Sequence, residues 1–150
     1  IKYIEDHIII DEYDIKLASE SITDIKIDRV RELVILDKVF EIDDFKSKLV
    51  LANNAGILGF DIKTTLNVGT NSKITVKEAE ELKKEYVIIL KGDVDGNGRV
   101  TVTDVVKTAY AALGENIFNE FETIAADIDE NARVTVTDVV KIAYRALEGN

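Results

Sequence analysis

The 150-residue sequence contains no cysteine, methionine, proline or tryptophan and only one histidine, His7. Without cysteine the chain can form neither a disulfide framework nor a thiolate metal site. With one histidine and no cysteine, no set of nucleophile, base and orienting group is visible, and we predict a non-catalytic protein. A sugar-stacking platform is also disfavoured, because tryptophan is absent and the chain has only 5 Tyr and 5 Phe.

Long apolar runs and an excess of positive charge are missing as well. No stretch reaches transmembrane length, and no signal peptide is visible. The formal net charge of −10 argues against nucleic-acid and anionic-membrane partners. Because the chain begins at Ile1 and has no methionine, we expect it to be an excised piece of a larger polypeptide.

A twelve-residue segment that begins at Asp93 has a second copy that begins at Asp127. In the first copy, DVDGNGRVTVTD, oxygen-bearing side chains occupy positions 1, 3, 5, 9 and 12, and glycine occupies position 6. With this spacing one short loop can supply six or seven oxygen ligands to Ca²⁺. The stretches RVTVTDVVKTAYAAL and RVTVTDVVKIAYRAL differ only at positions 108/142 and 111/145. We therefore predict two calcium loops, each followed by a helix.

The repeat occupies only the last part of the chain, which favours two domains, residues 1–90 and 91–150. An apolar core alone gives a domain of about 60 residues only marginal stability, and bound metal usually adds to the stability of domains of that size. Residues 91–150 hold 6 Lys/Arg and 11 Asp/Glu, which gives half of the total net charge. Two calcium ions would cancel four of these charges, so we expect metal to fold this part.

Residues 1–36 alternate between β-branched and charged side chains, as in strands with one solvated face. A short helix is predicted at residues 41–49, and further strands at 57–65, 73–76 and 86–91. Residues 77–85 fit either a helical turn or two or a charged hairpin. The strand at 86–91 runs directly into the first loop, so the entering helix of an ordinary EF-hand is absent. A short helix at residues 119–125 precedes the second loop.

This paired loop-plus-helix repeat resembles a cellulosome-type dockerin, the module by which anaerobic bacteria attach enzymes and other surface proteins to cohesin domains of a scaffold. The resemblance covers about residues 91–150 and rests on both loops, on aspartate at position 12, on the absent entering helix and on the spacing. Residues 1–90 have a turn at Val68-Gly69-Thr70 and a strand at 86–91 that leads into Gly92-Asp93. With these features they resemble the small β-rich X-like modules that often precede dockerins. The implied fold class is α+β with two domains, a β-rich N-terminal module followed by an all-α dockerin with two EF-hand-like repeats.

The resemblance implies two bound Ca²⁺ ions. In the first loop Asp93, Asp95, Asn97 and Asp104 would bind through side chains, Arg99 through its carbonyl, and Thr101 directly or through water. The equivalent residues in the second loop are Asp127, Asp129, Asn131, Arg133, Thr135 and Asp138. At position 6 Ala132 replaces the glycine of the first loop, Gly98. If that position needs a positive φ, alanine costs about 1 kcal/mol there, so we expect the second loop to bind more weakly.

Residues placed at 100° steps give each exiting helix two apolar faces. One face carries Val105, Thr108 and Ala112 in the first helix and Val139, Ile142 and Ala146 in the second. The other carries Val102, Val106, Tyr110 and Leu113, matched by Val136, Val140, Tyr144 and Leu147. Either both faces are core, or the second is an exposed docking surface. The identity of the second face in the two copies favours docking, because core contacts differ between halves.

In dockerins, loop positions 10 and 11 and the following helix face contact cohesin. The resemblance therefore assigns partner binding to Val102, Thr103, Val106, Ala109, Tyr110, Leu113, Val136, Thr137, Val140, Ala143, Tyr144 and Leu147. Near two-fold symmetry predicts that the module can dock in two orientations.

We expect an extracellular or cell-surface, calcium-dependent adaptor that is monomeric when unbound. The alternative is a calcium-binding module with structural or intramolecular contacts and no cohesin partner. A stand-alone calcium sensor would need entering helices and glutamate at position 12, and the sequence has neither.

Overall fold

The computed structural model describes residues 2–5 and 8–149, with side chains from residue 11 onward, and His7 lies outside the described residues. The described part of the chain is a mixed α/β protein. Its strands are β1 (Lys2–Glu5), β2 (Ile8–Asp11), β3 (Ile15–Leu17), β4 (Ile25–Asp28), β5 (Leu33–Leu36), β6 (Leu49–Leu51), β7 (Ile57–Asp61), β8 (Lys73–Glu78) and β9 (Glu81–Leu90). Its helices are α1 (Ile42–Ser47), α2 (Val102–Ala112), α3 (Glu120–Ala126) and α4 (Val136–Leu147).

A five-stranded sheet with the order β4-β5-β9-β8-β7 organises the fold. Strand β5 pairs in parallel with β9, and the other pairs of this sheet are antiparallel. Two antiparallel pairs, β1 with β2 and β3 with β6, accompany it. Strand β5 and the end of β9 are apolar without interruption, which is typical of strands covered on both faces.

The two faces of the central sheet belong to different cores. On one face Leu36, Ile88 and Leu90 pack in the larger cluster, which also contains Phe45 of α1. On the opposite face Leu33, Ile35 and Ile89 pack against Ala125, with Phe121 and Ile124 beside them. Helix α3, which lies between the two loops, thus covers the second face of the sheet.

The predicted fold class, a β-rich module followed by an all-α dockerin, is wrong. The described chain is a mixed α/β protein, in which β9 leads into the first loop and α3 completes a core of the sheet. The physical reason is the second apolar face of β5 and β9, which must be buried against another layer. The boundary between residues 90 and 91 stays a prediction.

Several local predictions are confirmed. The short helix is α1, the connecting helix is α3, and the repeated helices are α2 and α4. Residues 77–85 adopt the hairpin alternative, with Ala79 and Glu80 at positive φ between β8 and β9. Among the described residues, no helix is long and apolar enough to span a bilayer.

Helices α2 and α4 pack against each other over a small third core. Val94, Val100, Ala126 and Ile142 form its buried centre, with Val105 and Ala146 at its edge. Thr108, at the position equivalent to Ile142, is also fully buried. The first of the two predicted helix faces is therefore core.

Replacing Ile89 with alanine tests the packing of α3 on the sheet. Because Ile89 is fully buried beneath this helix, the variant is expected to lose about 2–5 kcal/mol of unfolding free energy. Leu82→Ala is the control, since Leu82 lies on the same strand but is 49% exposed. Urea denaturation in saturating calcium measures both, and equal losses would contradict this packing.

Candidate metal centre

The first loop brings three carboxylates together. Asp93 follows β9, and Asp104 lies in the first turn of α2. One oxygen from each of Asp93, Asp95 and Asp104 lies within 4.8 Å of the others. Asp93 and Asp104 are fully buried, and Asp95 is exposed. Carboxylate oxygens are ligands that Ca²⁺ prefers, so this donor set fits that ion.

Backbone N–H groups hold these carboxylates in place. Asp93 accepts hydrogen bonds from the N–H groups of Asn97 at 3.1 Å and Gly98 at 2.9 Å. Asp104 accepts from the N–H groups of Val94 and Thr101, both at 2.8 Å. The carboxylates at positions 1 and 12 therefore close the loop and fix the start of α2.

The second loop is built in the same way. Oxygens of Asp127, Asp129 and Asp138 also lie within 4.8 Å of one another. Ala132 N–H donates to Asp127 at 2.8 Å, and Thr135 N–H donates to Asp138 at 2.9 Å. These bonds are equivalent to those from Gly98 N–H to Asp93 and from Thr101 N–H to Asp104 in the first loop.

Burial changes the protonation of these groups. It raises the pKa of Asp93 to about 7 and that of Asp104 to about 6, against the opposing effect of the backbone N–H donors. Burial also raises the pKa of Asp127. A divalent cation among the carboxylates would favour their ionised forms.

The remaining predicted ligands lie in the same two loops. Asn97 accepts a hydrogen bond from Arg99 N–H, and Asn131 accepts one from Arg133 N–H, both at 3.0 Å. The structure brings the six aspartates together in two groups. Metal binding by these aspartates, and by Asn97, Arg99, Thr101, Asn131, Arg133 and Thr135, stays a prediction.

Position 6 has a positive φ in both loops, so the condition for a cost of alanine at this position is met. The angle is +85° at Gly98 and +69° at Ala132. Position 4 is also left-handed, with +77° at Gly96 and +58° at Glu130. The second loop therefore places two non-glycine residues in a region that costs roughly 1–2 kcal/mol per residue.

The second apolar face of each repeated helix lies on the protein surface. We call these faces the α2 stripe (Val102, Val106, Tyr110, Leu113) and the α4 stripe (Val136, Val140, Tyr144, Leu147). Their members are between 46% and 82% exposed. Thr103 and Thr137 are exposed beside them, and Ala109 and Ala143 are partly exposed. The stripes are thus not core, and their role in partner binding stays a prediction.

A contact between the first loop and residues 67–70 could not be read from the sequence. Thr70 N–H donates to Asp93 at 3.0 Å, and the Thr70 hydroxyl is within hydrogen-bond distance of the Leu90 backbone. A Cβ on Gly69 would overlap the carbonyl oxygen of Gly96. The sequence signal was Gly69, but glycine is common in turns and does not indicate its neighbour.

The junction between β9 and the first loop is tied to α3, α4 and the second loop. Gly92 N–H donates to the carbonyl of Ala125 at 2.8 Å. Arg145 donates to the carbonyl of Lys91 at 3.0 Å, and the Lys91 ammonium pairs with Glu130 at 2.9 Å. The contact of Arg145 explains one of the two differences between residues 99–113 and 133–147, since Ala111 has no side chain that could make it.

Comparison of the chain with protein-family models, with curated proteins and with solved structures found no significant match. The dockerin resemblance therefore rests on the loops, the helices and their spacing alone.

Substitutions at loop position 6 separate backbone strain from packing. Ala132→Gly is expected to stabilise the calcium-loaded protein by about 1 kcal/mol, because glycine relieves the positive φ. Gly98→Ala should destabilise it by more than that, because a Cβ at Gly98 would also lie 2.7 Å from the carbonyl oxygen of Asn67. Urea denaturation in calcium compares the two. Effects of equal size would show that the Asn67 contact contributes nothing.

Proposed function

We propose that this chain is a calcium-dependent, non-catalytic adaptor that binds a cohesin domain through the α2 and α4 stripes. In this way it attaches its parent protein to a scaffold or cell surface. One observation carries the proposal. Two apolar stripes of identical composition are exposed on helices that each begin at a loop of converging carboxylates.

The stripes have the composition of a protein-binding surface. Contiguous exposed apolar side chains on a small domain usually mark an interaction site. Each stripe has a tyrosine, Tyr110 or Tyr144, at its centre, and tyrosine is enriched among the residues that dominate binding energy. The burial of Thr108 and Ile142 on the inner faces leaves the outer faces free for a partner.

Calcium dependence follows from how each helix begins. Asp104 and Asp138 are both the last residue of a loop and a member of the first helical turn. When bound, the ion supplies the positive charge that holds the loop carboxylates together. Closure of the loop then fixes Val102 and Val136, the first residues of the stripes.

The equivalence of the stripes supports docking in either of two orientations. The eight positions repeat the order Val, Val, Tyr, Leu, and the flanking residues Thr103 and Thr137 also match. A cohesin surface that accepts one stripe would accept the other.

The alternative, a structural calcium module without a cohesin partner, has one observation in its favour. The first loop packs directly against residues 67–70. This contact gives that loop a structural role, but it leaves both stripes exposed and without an occupant.

The proposal includes the location of the protein and its state when no partner is bound. Calcium loops of modest affinity suit an extracellular or cell-surface location, where the ion is abundant. The net charge of −10 supports a monomer when no partner is bound.

A binding assay against a panel of cohesins tests the proposal. The immobilised chain should retain at least one cohesin in calcium and release it in excess EDTA, and calcium added back should restore binding. Retention of no cohesin, or binding that persists in EDTA, would overturn the proposal.

Paired substitutions test the two orientations by calorimetry. Val102→Ala/Tyr110→Ala and Val136→Ala/Tyr144→Ala should each lower affinity by only about twofold, because one of two equivalent modes remains. The variant with all four substitutions should lose binding. Ile117→Ala is the control, since Ile117 is 93% exposed but lies outside both stripes. Loss of binding in either double variant would disprove the dual mode.

A further inference from the structure

The two loops have different surroundings. In the first loop Asp93 and Gly98 are buried, because the loop lies against residues 67–70. In the second loop Ala132, the equivalent of Gly98, is exposed, and Asp127, the equivalent of Asp93, is only partly buried. Two loops with nearly the same sequence are therefore supported unequally.

The first loop and residues 67–70 approach closely backbone to backbone, beside the hydrogen bond from Thr70 N–H to the Asp93 carboxylate. A Cβ on Gly96 would lie 2.9 Å from the carbonyl oxygen of Thr70, and one on Gly98 would lie 2.7 Å from that of Asn67. A Cβ on Gly69 would overlap the carbonyl oxygen of Gly96 from the other side. Glycine at all three positions lets the two segments approach closely, and the loop cannot move without breaking this contact.

Residues 67–70 are themselves held firmly by the sheet. Val68 is fully buried in the larger core, and its N–H donates to the carbonyl of Phe40 at 2.9 Å. The Thr70 hydroxyl lies 3.0 Å from the N–H of Leu90 on β9. The segment therefore gives the first loop a rigid support.

The second loop has a weaker tether. Its side-chain link to the end of β9 is the ion pair between Glu130, whose side chain is 65% exposed, and Lys91, whose side chain is 7% exposed. This pair holds the loop through one flexible, largely solvated side chain, whereas the first loop is held through its backbone. Glu130 and Ala132 are also the two non-glycine residues at positive φ in this loop.

We propose that residues 67–70 act as a fixed support for the first loop, so that the two loops respond to calcium separately. A preorganised loop binds its ion more tightly, because less conformational entropy is lost on binding. As calcium falls, the second loop opens first, and the start of α4 is released while α2 stays in place. Calcium concentration then selects the docking face, a consequence that rests on the proposed function of the stripes.

A calcium titration of the full chain, followed by amide chemical shifts, tests the order of binding. Amides of the first loop and α2 should shift at calcium concentrations at least about tenfold lower than those of the second loop and α4. Shifts that occur together in both loops, or in the second loop before the first, would overturn the proposal.

Gly69→Ala tests the support without touching a loop residue. The variant should weaken calcium binding at the first loop by about tenfold or more and leave the second loop unchanged. Gly59→Ala is the matched control, because its Cβ would meet the Thr75 hydroxyl on β8, away from both loops. An unchanged first loop in Gly69→Ala would overturn the proposal.

Hydrogen exchange keeps the proposal testable if Gly69→Ala does not fold. Asn71 N–H donates to the carbonyl of Ile88 beside the first loop, and its exchange reports on the support. Because the core and the sheet hold this segment, the amide should keep its protection in both Asp93→Asn/Asp95→Asn and Asp127→Asn/Asp129→Asn. Loss of protection in Asp93→Asn/Asp95→Asn would show that the loop orders the segment, and would overturn the proposal.

Cohesin binding at intermediate calcium separates this proposal from the proposed function. Val136→Ala/Tyr144→Ala, which retains the α2 stripe, should still bind there, and Val102→Ala/Tyr110→Ala should not. Stepwise calcium binding with no cohesin bound at any calcium concentration would refute the function alone. Cohesin binding that falls in parallel in both variants would refute the stepwise mechanism alone.

Discussion

The mutual repulsion of carboxylates gathered within 4.8 Å is the constraint on which the last third of the structure depends. Backbone N–H donors orient these groups, but they do not neutralise them. The carboxylates at position 12 also lie in the first turn of α2 and α4, so the repulsion in each loop acts directly on the start of the following helix. A hard divalent cation is the species whose charge and ligand preference suit such a loop.

The sheet and the repeat depend on each other through two contacts of different kinds. Helix α3 contributes Phe121, Ile124 and Ala125 to the apolar cover of β5 and β9. Residues 67–70, in turn, support the first loop through backbone atoms. One contact is driven by burial of apolar surface, and the other requires glycine, so they respond to different substitutions.

The sequence contained the local features of this molecule but not its long-range contacts. Loop spacing, the exiting helices and the two apolar faces of each helix follow from residues close in the chain. The sequence favoured an exposed second face without excluding its burial, and it gave the positive φ at Ala132 only as a condition. The fold class could not be predicted correctly, because the apolar run of β9 does not indicate which element packs on each of its faces. A short helix was predicted at residues 119–125, but nothing in that stretch indicated the sheet beneath it. Gly69 was visible as a turn residue, and its partner Gly96 lies too far along the chain for any local pattern to connect them.

The two differences between residues 99–113 and 133–147 both lie away from the outer stripes. Ile142 fills the core where Thr108 stands in the other copy, and Arg145 reaches the Lys91 carbonyl where Ala111 cannot. The duplicated helices have thus diverged where they meet unlike neighbours, and the residues of their outer stripes are the same. Mutational drift confined to one outer stripe would leave such a molecule folded, and would turn a protein with two interchangeable faces into one with two distinct specificities.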